Sequence, residues 1–181
     1  DHILAQTAFE HAVEIDPSHS TSLTALSLIY RELDSDDPDE IHKEIQILSK
    51  LDRAEGWLTS NQLNRLGILH YNSKNFFEAI KYWGRDSIRN PDRSILFNLG
   101  LAYNHKDVSQ DADAIDVWRW TELNFPDYDL PTSQIEKLLP RLLTLADKAM
   151  ATGNTVLKPT QWYESYINPI ELLGLTAEQC E

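Results

Sequence analysis

The chain has 181 residues, 41% of them hydrophobic and 25% charged, enough apolar material for a full core. Its 16 Lys and Arg are outnumbered by 29 Asp and Glu, giving a net charge of −13. Nucleic acids and anionic membranes demand clustered cations, so neither is an expected partner. The apolar runs are too short to span a bilayer, and Asp1 to Glu10 lacks the basic and apolar regions of a secretory leader. The single cysteine, Cys180, leaves no internal disulfide and fits a reducing compartment, so a cytoplasmic location is expected.

In residues 1–19, Ala5, Phe9 and Ala12 recur at helical spacing and Asp16-Pro17 closes the segment. It reads as the second helix of a helix–turn–helix pair whose first helix is missing, so the chain is expected to be part of a longer protein. Residues 20–55 read as a degenerate pair. Leu23, Leu26 and Tyr30 mark the first helix, Asp34 to Asp39 an acidic turn, and Ile41, Ile45, Leu48 and Leu51 the second helix. The acidic run lacks the central glycine of a calcium loop and contains Pro38, so it reads as a turn with an N-cap.

Residues 60–92 are the clearest pair. Ser60 is a candidate cap for a helix with Leu63, Leu66 and Leu69 on one face, and Gly67 marks a close helix approach. Asn72 to Asn75 makes the turn. A second helix over Phe76–Arg89 follows, with Ala79, Ile80 and Trp83 inward, and Pro91 disfavours helix at Asn90. Residues 93–126 repeat the order: Phe97, Leu99, Gly100 and Tyr103, then Ala114, Ile115, Trp118 and Pro126, with two extra residues in the turn between 104 and 111. Gly67 and Gly100 are 33 residues apart. Residues 127–152 read as a capping helix on Ile135, Leu138, Leu139, Leu142, Leu143 and Ala146, with Pro140 a kink or break. Residues 153–181 read as a linker followed by a docked, aromatic-rich tail.

A period of roughly 34 residues with this punctuation predicts an all-α, right-handed helix–turn–helix solenoid. The residues of 60–126 resemble the tetratricopeptide repeat (TPR) family: Leu-Gly and an aromatic in the first helix, then Ala, a bulky residue and Pro in the second. Asp86 stands where the family has a small residue, and His70, beside Tyr71, where it has tyrosine. Asn168 to Leu175 weakly resembles the opening of a J-domain, but the chain contains no His-Pro-Asp.

The TPR resemblance implies a concave face lined by the first helix of each repeat, at its positions 2, 5, 6, 9, 12 and 13. The residues it selects for peptide binding are Asn64, Arg65, Ile68 and Tyr71, and Phe97, Asn98, Leu101 and His105. Asn64 and Asn98 stand out, because an amide both donates to and accepts from a peptide backbone. The lysine–asparagine clamp by which some TPR domains hold chaperone tails is not expected. Of its residues only Asn98 is in place, with Tyr128 and Thr132 where lysine and arginine are needed. Catalytic and metal motifs are missing from the sequence: the six histidines form no i, i+4 pair, and there is no glycine-rich phosphate loop or nucleophile elbow. The expected function is a non-catalytic scaffold binding a protein or peptide without a cofactor, as the adaptor part of a larger protein. The alternatives are a co-chaperone with a J-like module beyond the chain end, and a self-assembly module that dimerises through Ala5, Phe9 and Ala12.

Overall fold

The computed structural model describes residues 2–89 and 91–151. Asn90, the linker and tail at 153–181, the J-like segment and Cys180 lie outside the described residues. Within them are eight α-helices and no strand: α1 (His2–Ile15), α2 (Ser20–Leu33), α3 (Pro38–Glu55), α4 (Ser60–Asn72), α5 (Phe76–Arg89), α6 (Arg93–Asn104), α7 (Asp111–Asn124) and α8 (Leu130–Ala151). Backbone contacts divide the chain into two units, Asp1–Asn75 and Phe76–Glu181.

In the first unit α1 packs on α2, α2 on α3 and α3 on α4. Leu23, Leu26 and Tyr30 of α2 are buried, as their spacing predicts, and Ser27 fills the place of the missing glycine. α3 begins at Asp37, whose carboxylate accepts from the Asp39 amide at 2.9 Å, with Pro38 in the first turn where an N–H is not needed. Gly56 ends it in the left-handed region at φ 73°. The buried face of α3 is Ile47, Leu48 and Leu51 together with Glu44, while Ile41 and Ile45 are half-buried. The packed face thus keeps the predicted apolar positions and adds one acid, Glu44, which pairs with an arginine on α4. The cap of α4 is Thr59 rather than Ser60. Its hydroxyl accepts from the Gln62 amide while the Gln62 side chain accepts from the Thr59 amide, a reciprocal capping box. On α1, Ala5, Phe9 and Ala12 are half-buried and only Val13 is buried. Its open apolar residues are Ile3, Leu4 and Ile15, each at least 67% exposed.

In the second unit α5 packs on α6, α6 on α7 and α7 on α8. Asp92 caps α6, accepting from Ser94 N at 2.8 Å and Ile95 N at 3.1 Å. The Gly100 position requires glycine. A Cβ there would overlap the indole of Trp118, which is fully buried and donates from Nε1 to the Phe97 carbonyl at 3.1 Å. The Leu-Gly of α6 and the tryptophan of α7 are therefore two halves of one close helix crossing. α8 runs through Pro140 without a break, with Ile135 and Leu138 buried and Thr144 Oγ1 donating to the Pro140 carbonyl at 2.9 Å. A proline removes one intrahelical donor, and a helix held by tertiary packing survives that loss.

Candidate functional site

The first-helix positions singled out above fall on α2, α4 and α6. None of the eighteen residues is buried: Thr21, Thr24, Ala25, Leu28, Arg31 and Glu32 on α2, the equivalent six on α4 from Asn61 to Asn72, and the six from Ser94 to His105 on α6. The buried faces of the same helices lie at the alternate positions, Leu23 and Leu26, Leu63 and Leu66, and Leu96 and Leu99. Each first helix thus keeps one packed face and one accessible face, as the period of 3.6 requires.

The α6 face of the second unit is the most elaborated. Phe97, Asn98 and Leu101 lie half-exposed on one stripe. The Phe97 ring meets Trp118 at a centroid distance of 6.2 Å and the edge of Tyr128 at 6.0 Å. The Arg93 guanidinium sits over the Tyr128 ring at 5.2 Å, and Ser94 hydrogen-bonds the Tyr128 side chain. Burial, ahead of the nearby charges, pushes the Tyr128 phenol above its ordinary value. The result is an aromatic wall of Phe97 and Tyr128, backed by Trp118, on the helix that also carries the half-exposed Asn98. His105 caps the end of α6, stacks on Phe76 at 3.6 Å and accepts from the Asp107 amide at 3.3 Å.

In the first unit, Asn64, Ile68 and Tyr71 of α4 are half-buried. Arg65 is engaged inside the fold. Its Nε and Nη2 donate to the two oxygens of Glu44, each at 2.8 Å, and Nη1 donates to Asp34 at 2.8 Å. The Arg65 side chain is 17% exposed, that of Glu44 4% and that of Asp34 76%. The Glu44 hydrogen bonds raise the guanidinium's affinity for its proton still further, against a smaller cost of burial. Arg65 is a strut tying α4 to α3 and to the left-handed C-cap of α2 at Asp34. This network is invisible to periodicity, since Glu44 and Arg65 are 21 residues apart on different helices. The one available signal was an acid at an apolar position of α3.

Among the described residues no group of three or more His, Cys, Asp or Glu is placed to hold a metal ion, and no helix is long and apolar enough to cross a membrane. His11 pairs with Glu14 at 3.4 Å, and His19 caps α2 through Ser22.

The fold is that of an all-α helical-repeat protein of TPR-like type. No family model matches the sequence and no curated protein matches it. Among solved structures the chain is similar to the crystal structure of MamA protein, also a TPR-type helical repeat, with a TM-score of 0.56 and 15% identity over 85% of this chain and 86% of that one. The likeness is one of fold.

Proposed function

We propose that this chain is a non-catalytic, peptide-binding repeat module, acting in the cytoplasm as the adaptor part of a larger protein. The reading rests on one observation above the others: none of the first-helix positions facing the solvent is buried, and on α6 they carry an amide and a pre-packed aromatic wall. Such a surface suits an extended segment, whose backbone pairs with Asn98 while an apolar side chain lies on Phe97, Leu101 and Tyr128. Asn64, Ile68 and Tyr71 of α4 are a separate candidate contact within the first unit. The Arg65 guanidinium contributes by holding α4 in place, since it already donates three hydrogen bonds to Glu44 and Asp34.

Affinity capture with the wild-type chain beside an Asn98→Ala, Asn64→Ala double variant tests this reading. A partner retained by wild type and lost by the folded variant is the expected result. Equal capture by both overturns it. The open Ile3, Leu4 and Ile15 of α1 favour a second reading, a homodimer formed through that helix. Light scattering that shows a concentration-dependent mass, abolished by Leu4→Glu, is its signature, and a monomer at all concentrations eliminates it.

A further inference from the structure

The first unit carries a second surface that the peptide-binding reading does not use. Along α3, Lys43, Gln46, Lys50 and Arg53 follow one another at spacings of three, four and three residues. At 100° per residue the three cations fall within about 80° of one another, a single basic stripe in a chain of net charge −13. Lys43, Gln46 and Lys50 face α1 across a cleft that Leu26 and Tyr30 of α2 also line, and Lys50 and Arg53 line the adjoining pocket at Pro17 and Ser18. The cleft has two parts that share Lys50. The first, of about 300 Å³, lies between Glu10, Val13 and Glu14 on one bank and Lys43, Gln46, Ile47 and Lys50 on the other. The second, of about 400 Å³, is lined by Pro17, Ser18, Lys50, Arg53 and Ala54 and by no carboxylate.

The acids near this cleft are committed elsewhere. Glu10 accepts from the Tyr30 hydroxyl at 2.8 Å and from Gln6 at 3.0 Å. Glu14 lies on the solvent side of α1, 3.4 Å from His11 Nδ1. Asp16 turns back on Ser18, accepting from its amide at 3.0 Å and its hydroxyl at 2.7 Å. Among the described residues no carboxylate lies within ion-pair distance of Lys50 or Arg53. Lys43, at the other end, is already bridged to Glu40 at 3.5 Å. The amino end of α2, which begins at Ser20 beside this pocket, adds a favourable dipole. The cleft is therefore polarised among the described residues, with Lys50 and Arg53, whose Nε donates to the Ser49 carbonyl at 3.2 Å, at the Pro17–Ser18 end and the Glu10 and Glu14 carboxylates at the other.

We propose that this cleft is a docking site for an acidic peptide segment, with its carboxylates seated between Lys50 and Arg53. The charge polarity fixes the direction in which the segment lies, since an acid at the Glu14 end would be repelled and one at the Arg53 end attracted. The site is on the α1–α3 side of the unit and does not share a residue with the α4 or α6 faces, so its fate is independent of theirs.

The test is amide-resolved NMR of the full chain titrated with an end-capped octaglutamate peptide, with octaglutamine as the neutral control. The expected result is shift changes at Ser18 and Lys50 to Ala54 with octaglutamate alone, weakening as salt is raised. The Lys50→Glu, Arg53→Glu double variant should lower the affinity by about tenfold or more, the worth of one or two surface charge pairs. Both side chains lie outside the apolar core, and circular dichroism verifies that the variant is folded. No shift change, changes confined to α4 or α6, or binding undiminished in the double variant would each overturn the proposal. Inorganic phosphate producing the same shifts at the same affinity would overturn it too, by reducing the site to a simple anion contact.

Discussion

Replacing Gly100 with alanine sets two physical effects of opposite sign against each other. Intrinsic helix propensity favours alanine over glycine inside a helix by about 1 kcal/mol. At Gly100 the added Cβ would overlap Trp118 Nε1, Cε2 and Cδ1, and that indole has no solvent-exposed side to yield toward. Overpacking of this kind costs about 1–3 kcal/mol. Displacing the indole also weakens its bond to the Phe97 carbonyl, worth about 1 kcal/mol. The net expectation is a loss of about 2 kcal/mol, or a fall in Tm of about 5 °C for a chain of this size. Gly84 is the internal control, because it also lies within a helix and a Cβ there meets nothing within 4 Å. Gly84→Ala should raise Tm by a few degrees, about what propensity alone predicts. Thermal unfolding of the two variants by circular dichroism reads the comparison directly. A Gly100→Ala protein at least as stable as wild type would refute the close crossing of α6 and α7, and with it the packing of Trp118 against Phe97.

Glu44→Ala should cost about 2–3 kcal/mol, less than for a fully buried pair because Arg65 reaches solvent, while Asp34→Asn should change stability by no more than about 0.5 kcal/mol. Chemical denaturation distinguishes them, and equal effects would contradict the network. Thr59→Ala should cost about 1 kcal/mol and Ser60→Ala only about 0.3 kcal/mol; the reverse order would move the α4 cap back to Ser60. Burial, reinforced by Asp113, raises the Tyr103 phenol above its ordinary value of 10.0, and burial with Glu10 does the same for Tyr30. A raised folded-state value binds the proton more tightly in the native state. Stability is then full below pH 10 and declines as the pH rises above it. Absorbance titration of the seven tyrosines should show that at least Tyr30 and Tyr103 resist ionisation while the protein is folded, and native-state ionisation of all seven near pH 10 would contradict the burial.

The sequence by itself determined the helices and their order. Leu63, Leu66, Leu96 and Leu99 are buried because an apolar residue every three to four positions leaves a helix one face to hide. The repeat marked Gly100 and Trp118 as equivalent in place to Gly67 and Trp83, but that the glycine of α6 and the indole of α7 meet was supplied by the tertiary structure. The candidate positions on α2, α4 and α6 came from the TPR resemblance, and the structure leaves them unburied. Only the tertiary structure decided which of those residues already have partners inside the fold. Arg65 reads as a free cation in sequence, and it becomes a strut because the ends of α2 and α3 bring Asp34 and Glu44 to it. The basic stripe of α3 can be counted in the sequence, but the cleft in front of it exists only because α1 and α3 both pack on α2. Periodicity is a property of one helix and is written in neighbouring residues. Ion pairs and clefts belong to helices far apart in the chain, and no local pattern encodes which side chains will meet.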